Sequence, residues 1–213
     1  MKYLYLILFL TTTLSANSQK NESVNYQTQL AISKKRLSNT ADSIFQSQLQ
    51  TELLENIFPH WYGTPWDYNG YTNIPQKGEI ACGYFISTTL KHLGFNLNRY
   101  DIAKMYSSDI IKVLCHDDSK TFYDFKSFQR YCDNMQDGIY ILGLSNHVGF
   151  LSIENGKGYF LHSDYSSEDG VRKESIENSY ALENSNSFWV GNFSNHPKTI
   201  KYYKTNQEYV KLE

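Results

Sequence analysis

The chain has 213 residues, 20 Lys and Arg against 22 Asp and Glu, and a formal net charge of −2. That length holds one domain with a sizeable core and a short appendage. A near-neutral balance without a clustered basic face argues against nucleic acid or an anionic membrane surface as the main partner.

In chain order, residues 1–18 combine Lys2, an apolar run from Tyr3 to Leu10 and the small stretch Ala16-Asn17-Ser18, the arrangement of a secretory signal peptide. The run is too short to span a bilayer, and no cysteine marks a lipoprotein anchor there. The mature protein is therefore expected to be soluble and exported, periplasmic or secreted, with a net charge of −3 once Lys2 is gone. Residues 19–58 form a lead-in: 19–40 are polar, and Phe45, Leu49, Leu53, Leu54 and Ile57 predict an amphipathic helix over 41–58.

Residues 59–213 make the main domain. The segment 59–81 carries three of the four prolines and predicts an ordered loop. Phe85, Ile86, Leu90 and Leu93 predict a helix over 82–94 that Gly94 terminates, and a shorter helix follows near 98–112. Residues 112–136 read as an insertion, helical around Phe122, Phe125, Phe128 and Tyr131, and placed as a lid or side wall of a groove. Strands are predicted at 138–144, 147–154, 157–162, 187–193 and 198–204, with Asn155-Gly156 as a hairpin turn. The fold class is α+β, helices packed on an antiparallel sheet. The 18 Tyr and 12 Phe suit strand packing or an aromatic groove for a peptide or glycan-linked substrate.

Three residues carry the candidate chemistry. Cys82 opens the helix after Gly78-Glu79-Ile80-Ala81, where backbone N–H groups and the helix dipole lower a thiol pKa. His147 opens one predicted strand and His162 closes the next, so both fall at the same end of a hairpin. They meet diagonally on one face if a bulge or offset adjusts the register, His147 as base and His162 as the group that orients it. Asp164 is the rival orienting group and Asn146 a weaker one. His60, His92, His116 and His196 read as surface or structural. No spacing assembles a zinc site, and no cofactor is called for. A Cys115–Cys132 disulfide would close a short loop worth about 3 kcal/mol and leave Cys82 free; all three cysteines being reduced is the other outcome.

These motifs, with the upstream His60-Trp61-Tyr62-Gly63-Thr64-Pro65-Trp66-Asp67-Tyr68-Asn69-Gly70, the Cys82-Gly83 pair and His147-Val148-Gly149, resemble the NlpC/P60 family of papain-like cysteine peptidases and amidases over about residues 55–165. The chain departs from the family at Ala81, where many members have an acidic residue, at Trp66, where they have Tyr, and in the insertion. The resemblance implies a papain-like core and an exported hydrolase that cuts amide bonds in peptidoglycan peptide stems, or another peptide or amide substrate, without a metal. In that reading Cys82, His147 and His162 are catalytic, and Gly83, Trp66 and Tyr68 are the substrate-binding or oxyanion candidates. Arg99 and Arg172 are candidates by charge for a substrate carboxylate. An inactive binding module on the same fold, and a Cys-His acyltransferase or transglutaminase-like enzyme, are the alternatives.

Overall fold

A computed structural model describes residues 25–210; the expected leader, 1–18, lies outside them. The helices of the lead-in come first: α1 (Tyr26–Asn39), capped by the Asn25 side chain on Gln27 N–H, and α2 (Asp42–Thr51), which runs on through a π-helical stretch, Glu52–Ile57, into α3 (Phe58–Trp61). The nucleophile candidate starts α4 (Cys82–Leu93), and Gly94, in the left-handed region at φ 108°, ends it. Where one short helix was expected near 98–112 there are two, α5 (Arg99–Ala103) and α6 (Ser107–Leu114).

The insertion holds strand β1 (Ser119–Phe122) and helix α7 (Phe125–Cys132). Strands β2 (Gly138–Leu144), β3 (Val148–Glu154) and β4 (Lys157–Ser163) follow the alternation read from the sequence. The sequence predicts no strand at β5 (Val171–Ser175); α8 (Tyr180–Glu183), β6 (Phe188–Asn192) and α9 (Pro197–Lys204) are the last elements among the described residues. Residues 198–204 are thus helical, not extended. Pro197 stands in the first turn and the His196 ring accepts from Lys198 N–H, a start signal that overrides the β-like Thr-Ile-Lys-Tyr-Tyr run.

All neighbouring strands pair antiparallel in the order β1-β6-β2-β3-β4-β5, so the molecule is α+β with one six-stranded sheet. Alternate residues divide the core between its two faces. One face offers Ile139, Ile141, Val148, Phe150 and Leu161 to the lead-in helices, α4 and α6; the other offers Leu142, Leu151, Phe160, Phe188 and Val190 to α7 and α8. Each fully buried aliphatic or aromatic side chain here is worth about 1.5–3 kcal/mol relative to exposure. Cys115 lies in the first core and Cys132 in the second, and all three cysteines are free, so the 115–132 disulfide does not form. The insertion is no lid: β1 is the sheet edge opposite β5, and α7 seals the second core, with Phe128 stacked on Phe188 at 4.8 Å.

Candidate active site

The loop 63–81 is pinned to the far edge of the sheet before it delivers Cys82. Gly63 N–H donates to Val171 O, and Val171 N–H returns a bond to Thr64 O, both at 2.9 Å. Ile80 N–H reaches Pro65 O, Ala81 N–H reaches Gly70 O, and the buried Ser163 hydroxyl at the end of β4 donates to Ile80 O at 2.6 Å. Gly83 permits the approach of α4 to α5: a Cβ there would stand 2.3 Å from Ala103 O. Cys82 is thereby held at a helix start beside the open end of β3.

Cys82 is part-exposed as a residue, but desolvation raises its thiol pKa above its ordinary value, while backbone N–H groups of Val148, Gly83 and Cys82 itself pull the other way. The expectation of a lowered thiol pKa is therefore corrected, because burial outweighs the helix start. Val148 follows His147 directly, so the sulfur lies against the backbone one residue from His147 at the strand end. Among the described residues no hydrogen bond joins the two side chains.

His147 and His162 do meet. His147 Nε2 lies 2.8 Å from His162 Nδ1, and the rings cross at 82°. Continuing the β3–β4 register past Phe150↔Leu161 sets His147 opposite Asp164, which makes His162 its diagonal same-face neighbour with no bulge. Gly149 clears the space: a Cβ would lie 2.6 Å from the Phe160 ring, which stacks on His162 at 4.3 Å. His147, 4% exposed, has its pKa pushed well below the usual histidine value, by desolvation first and by neighbouring His162 second.

Sequence reasoning missed what lies beyond His162. Its Nε2 is 3.1 Å from Glu174 Oε1, supplied by β5, and the other Glu174 oxygen is paired with Arg172. Burial alone would raise the Glu174 pKa, but hydrogen bonds from His162, Ser179 and Arg172 hold it below the usual carboxylate value. The signal in the sequence was slight: Val171-Arg172-Lys173-Glu174-Ser175 alternates over five residues only, after Gly170. Asp164 takes bonds from Ser166 N–H and Oγ and from Ser167 Oγ, with Arg172 at 3.5 Å, and bonds neither imidazole; Asn146 is exposed in the β2–β3 turn. His162, Asp164 and Glu174 offer donor atoms within 4.8 Å of one another. Arg172 already compensates both carboxylates, so this set reads as an ion-pair network and not as a cation cage.

The substrate-side candidates separate. Trp66 is half-buried and faces Tyr165, rings 6.1 Å apart, and Tyr165 in turn lies 5.1 Å from the His147 ring. Tyr165 is a phenol close to the site that the sequence did not single out. Tyr68 is 81% exposed and its hydroxyl bonds nothing among the described residues. Arg99 is buried and spent on Tyr71 O, Thr72 O and the Thr88 hydroxyl, sandwiched by Tyr84 and Tyr100, so it pins loop to helix and is not free to meet a carboxylate. Arg172 is committed to Glu174, Asp164 and Asp169. Of the four remaining histidines, all part-buried, His92 accepts or donates at 3.0 Å with the Tyr26 hydroxyl, which also takes the Trp61 indole N–H. Comparison with protein-family models, curated proteins and solved structures finds no match to this chain.

Proposed function

We propose that the protein is an exported cysteine hydrolase with a papain-like, NlpC/P60-type core that cleaves amide bonds in the peptide stems of peptidoglycan. The observation that carries this reading is the juxtaposition at one sheet end of a helix-start thiol, Cys82, with a buried imidazole, His147, backed by His162. His147 takes the thiol proton, the Cys82 sulfur attacks the amide carbonyl, and the imidazole passes the proton to the leaving amine. The N–H groups of Cys82 and Gly83 at the helix start, with a donor from Trp66 or Tyr165, face the oxyanion that develops. Water then hydrolyses the thioester. A raised thiol pKa beside a depressed imidazole keeps both neutral at rest, so the proton moves when substrate closes the gap; such bonds are commonly loose in ligand-free enzymes.

The test is a mass-spectrometric digest of purified muropeptides. The parent chain is expected to release stem fragments, and Cys82→Ala to retain under about one per cent of the rate, since losing a covalent nucleophile costs several powers of ten. Greater retention sinks the mechanism. The burial of the thiol favours one competing reading, a binding module without turnover. It predicts retained muropeptide binding with no fragments and no iodoacetamide labelling of Cys82 at neutral pH.

A further inference from the structure

We propose that Glu174 is the terminal positioning residue of a relay that runs Cys82, His147, His162, Glu174, and that Arg172 sets how strongly this carboxylate acts. The inference rests on the hydrolase reading above and adds to it which imidazole nitrogen is the base and what selects it.

The argument is one of donors and acceptors. A carboxylate only accepts, so the 3.1 Å contact requires the proton of His162 on Nε2. A neutral His162 then has a lone pair on Nδ1, which must accept, so the 2.8 Å contact places the proton of His147 on Nε2. That leaves Nδ1 of His147 as the unprotonated nitrogen, and it has no hydrogen-bond partner among the described residues. One carboxylate thus fixes the tautomer of two rings. Without it His162 has no reason to prefer Nε2–H, and His147 no reason to keep Nδ1 free.

The same chain accepts the charge that catalysis creates. When the Cys82 S–H proton moves to His147 Nδ1, the Nε2 proton of His147 can pass to His162 Nδ1, and the cation ends next to Glu174, which stays ionised. When the amine leaves, it takes the proton from His147 Nδ1 and His162 returns its own to His147 Nε2. No proton is gained or lost. The groups near the two rings are Tyr165 and Asp164 from the segment after β4, and Arg172 and Glu174 from β5, with Asp169 on the outer side of Arg172 and Cys82 from α4 reached through Tyr165. Arg172 is the only cation in this set. It opposes imidazolium formation, while Glu174 favours it, so the two should act with opposite sign on one titration.

The measurement is the pH dependence of Cys82 alkylation by iodoacetamide and of muropeptide hydrolysis, in the full chain and in His147→Ala, Glu174→Gln, Glu174→Asp and Arg172→Gln. Glu174→Gln should move the acid limb of both profiles to lower pH and Arg172→Gln to higher pH, each by about half a unit or more, as expected for a contacting charge. Glu174→Asp should restore part of the shift. Nitrogen-15 NMR of the parent should find His147 as the Nε2–H tautomer, and Glu174→Gln should mix the two. If His147→Ala slows neither alkylation nor hydrolysis, the hydrolase reading itself fails. If His147→Ala slows both, but the Glu174 and Arg172 variants shift the profiles in the same direction or not at all, the relay is wrong. A parent His147 protonated on Nδ1 at neutral pH also overturns it, and that observation needs no variant to fold.

Discussion

At the scale of single residues the two histidines are unequal although they touch. His147→Ala removes the base and should lower kcat/KM by about a thousandfold or more, whereas His162→Asn can still accept from His147 Nε2 and should keep a larger share, about a tenth to a hundredth. Steady-state kinetics on a muropeptide give the ranking, and equal losses would mean that proton transfer to His162 is as indispensable as the base itself. Cys82, His147 and His162 were legible in the sequence because each sits inside a short local pattern: a glycine-flanked helix start, a strand opening, a strand closing. Glu174 and Tyr165 were not. What makes them neighbours of the site is the pairing of β5 with β4, Phe160 opposite Glu174 and His162 opposite Arg172, a contact that one buried valine and four half-buried polar residues do not advertise.

At the scale of elements, the lead-in is locked by one carboxylate. Glu52 is fully buried in the π-helical stretch, where its oxygens take the Ser33 hydroxyl at 2.6 Å, the Gln48 amide at 2.8 Å and the Asn56 amide at 3.0 Å, with Arg36 at 3.5 Å. Glu52→Ala strands those donors and opens a cavity, so it should cost about 3–5 kcal/mol in urea unfolding; Glu52→Gln, which keeps volume and one acceptor, should cost less. A loss under about 1 kcal/mol for Glu52→Ala would mean that α1 is not anchored through this group. The apolar spacing over 41–58 located the helix but not its widened turn, because Leu53, Leu54 and Ile57 fit either winding. The same limit explains α9: residues 198–204 satisfy both periods, and only Pro197 and the cap at His196 decide.

At the scale of the whole molecule, burial displaces titrations on both sides of neutrality. His147, His92, His116 and His60 all have depressed pKa values, with desolvation the largest cause in each, and those of His92 and His116 fall to about 4. The unfolded chain therefore binds protons that the folded chain refuses below the ordinary histidine value of about 6.5. Their contribution is fully present above that pH and is lost as pH falls, at up to about 1.4 kcal/mol per pH unit for each such proton. Cys115, and Cys132 at about 12, are raised by burial, so their contribution is present below the ordinary thiol range and is lost above it. The urea midpoint should be flat near pH 7–8, fall below about 6.5 and fall again in alkali; a midpoint that rises between pH 6.5 and 5 would contradict the burial of these imidazoles. A reducing agent should leave the midpoint unchanged at neutral pH, because no cystine links the two cores.

The position of β1 has a practical use. It is separated from β3, beside which Cys82 lies, by two intervening strands, about 14 Å at ordinary strand spacing, and the turn that follows it carries Tyr123 at 77% exposure. A short affinity tag or a fluorophore grafted between Tyr123 and Asp124 would project from the sheet edge opposite β5, displaced sideways from Cys82 at the same end of the sheet. The tagged chain should keep its parent rate of iodoacetamide labelling, which makes this turn a handle for capturing or imaging the protein while its thiol stays free to report on its own chemistry.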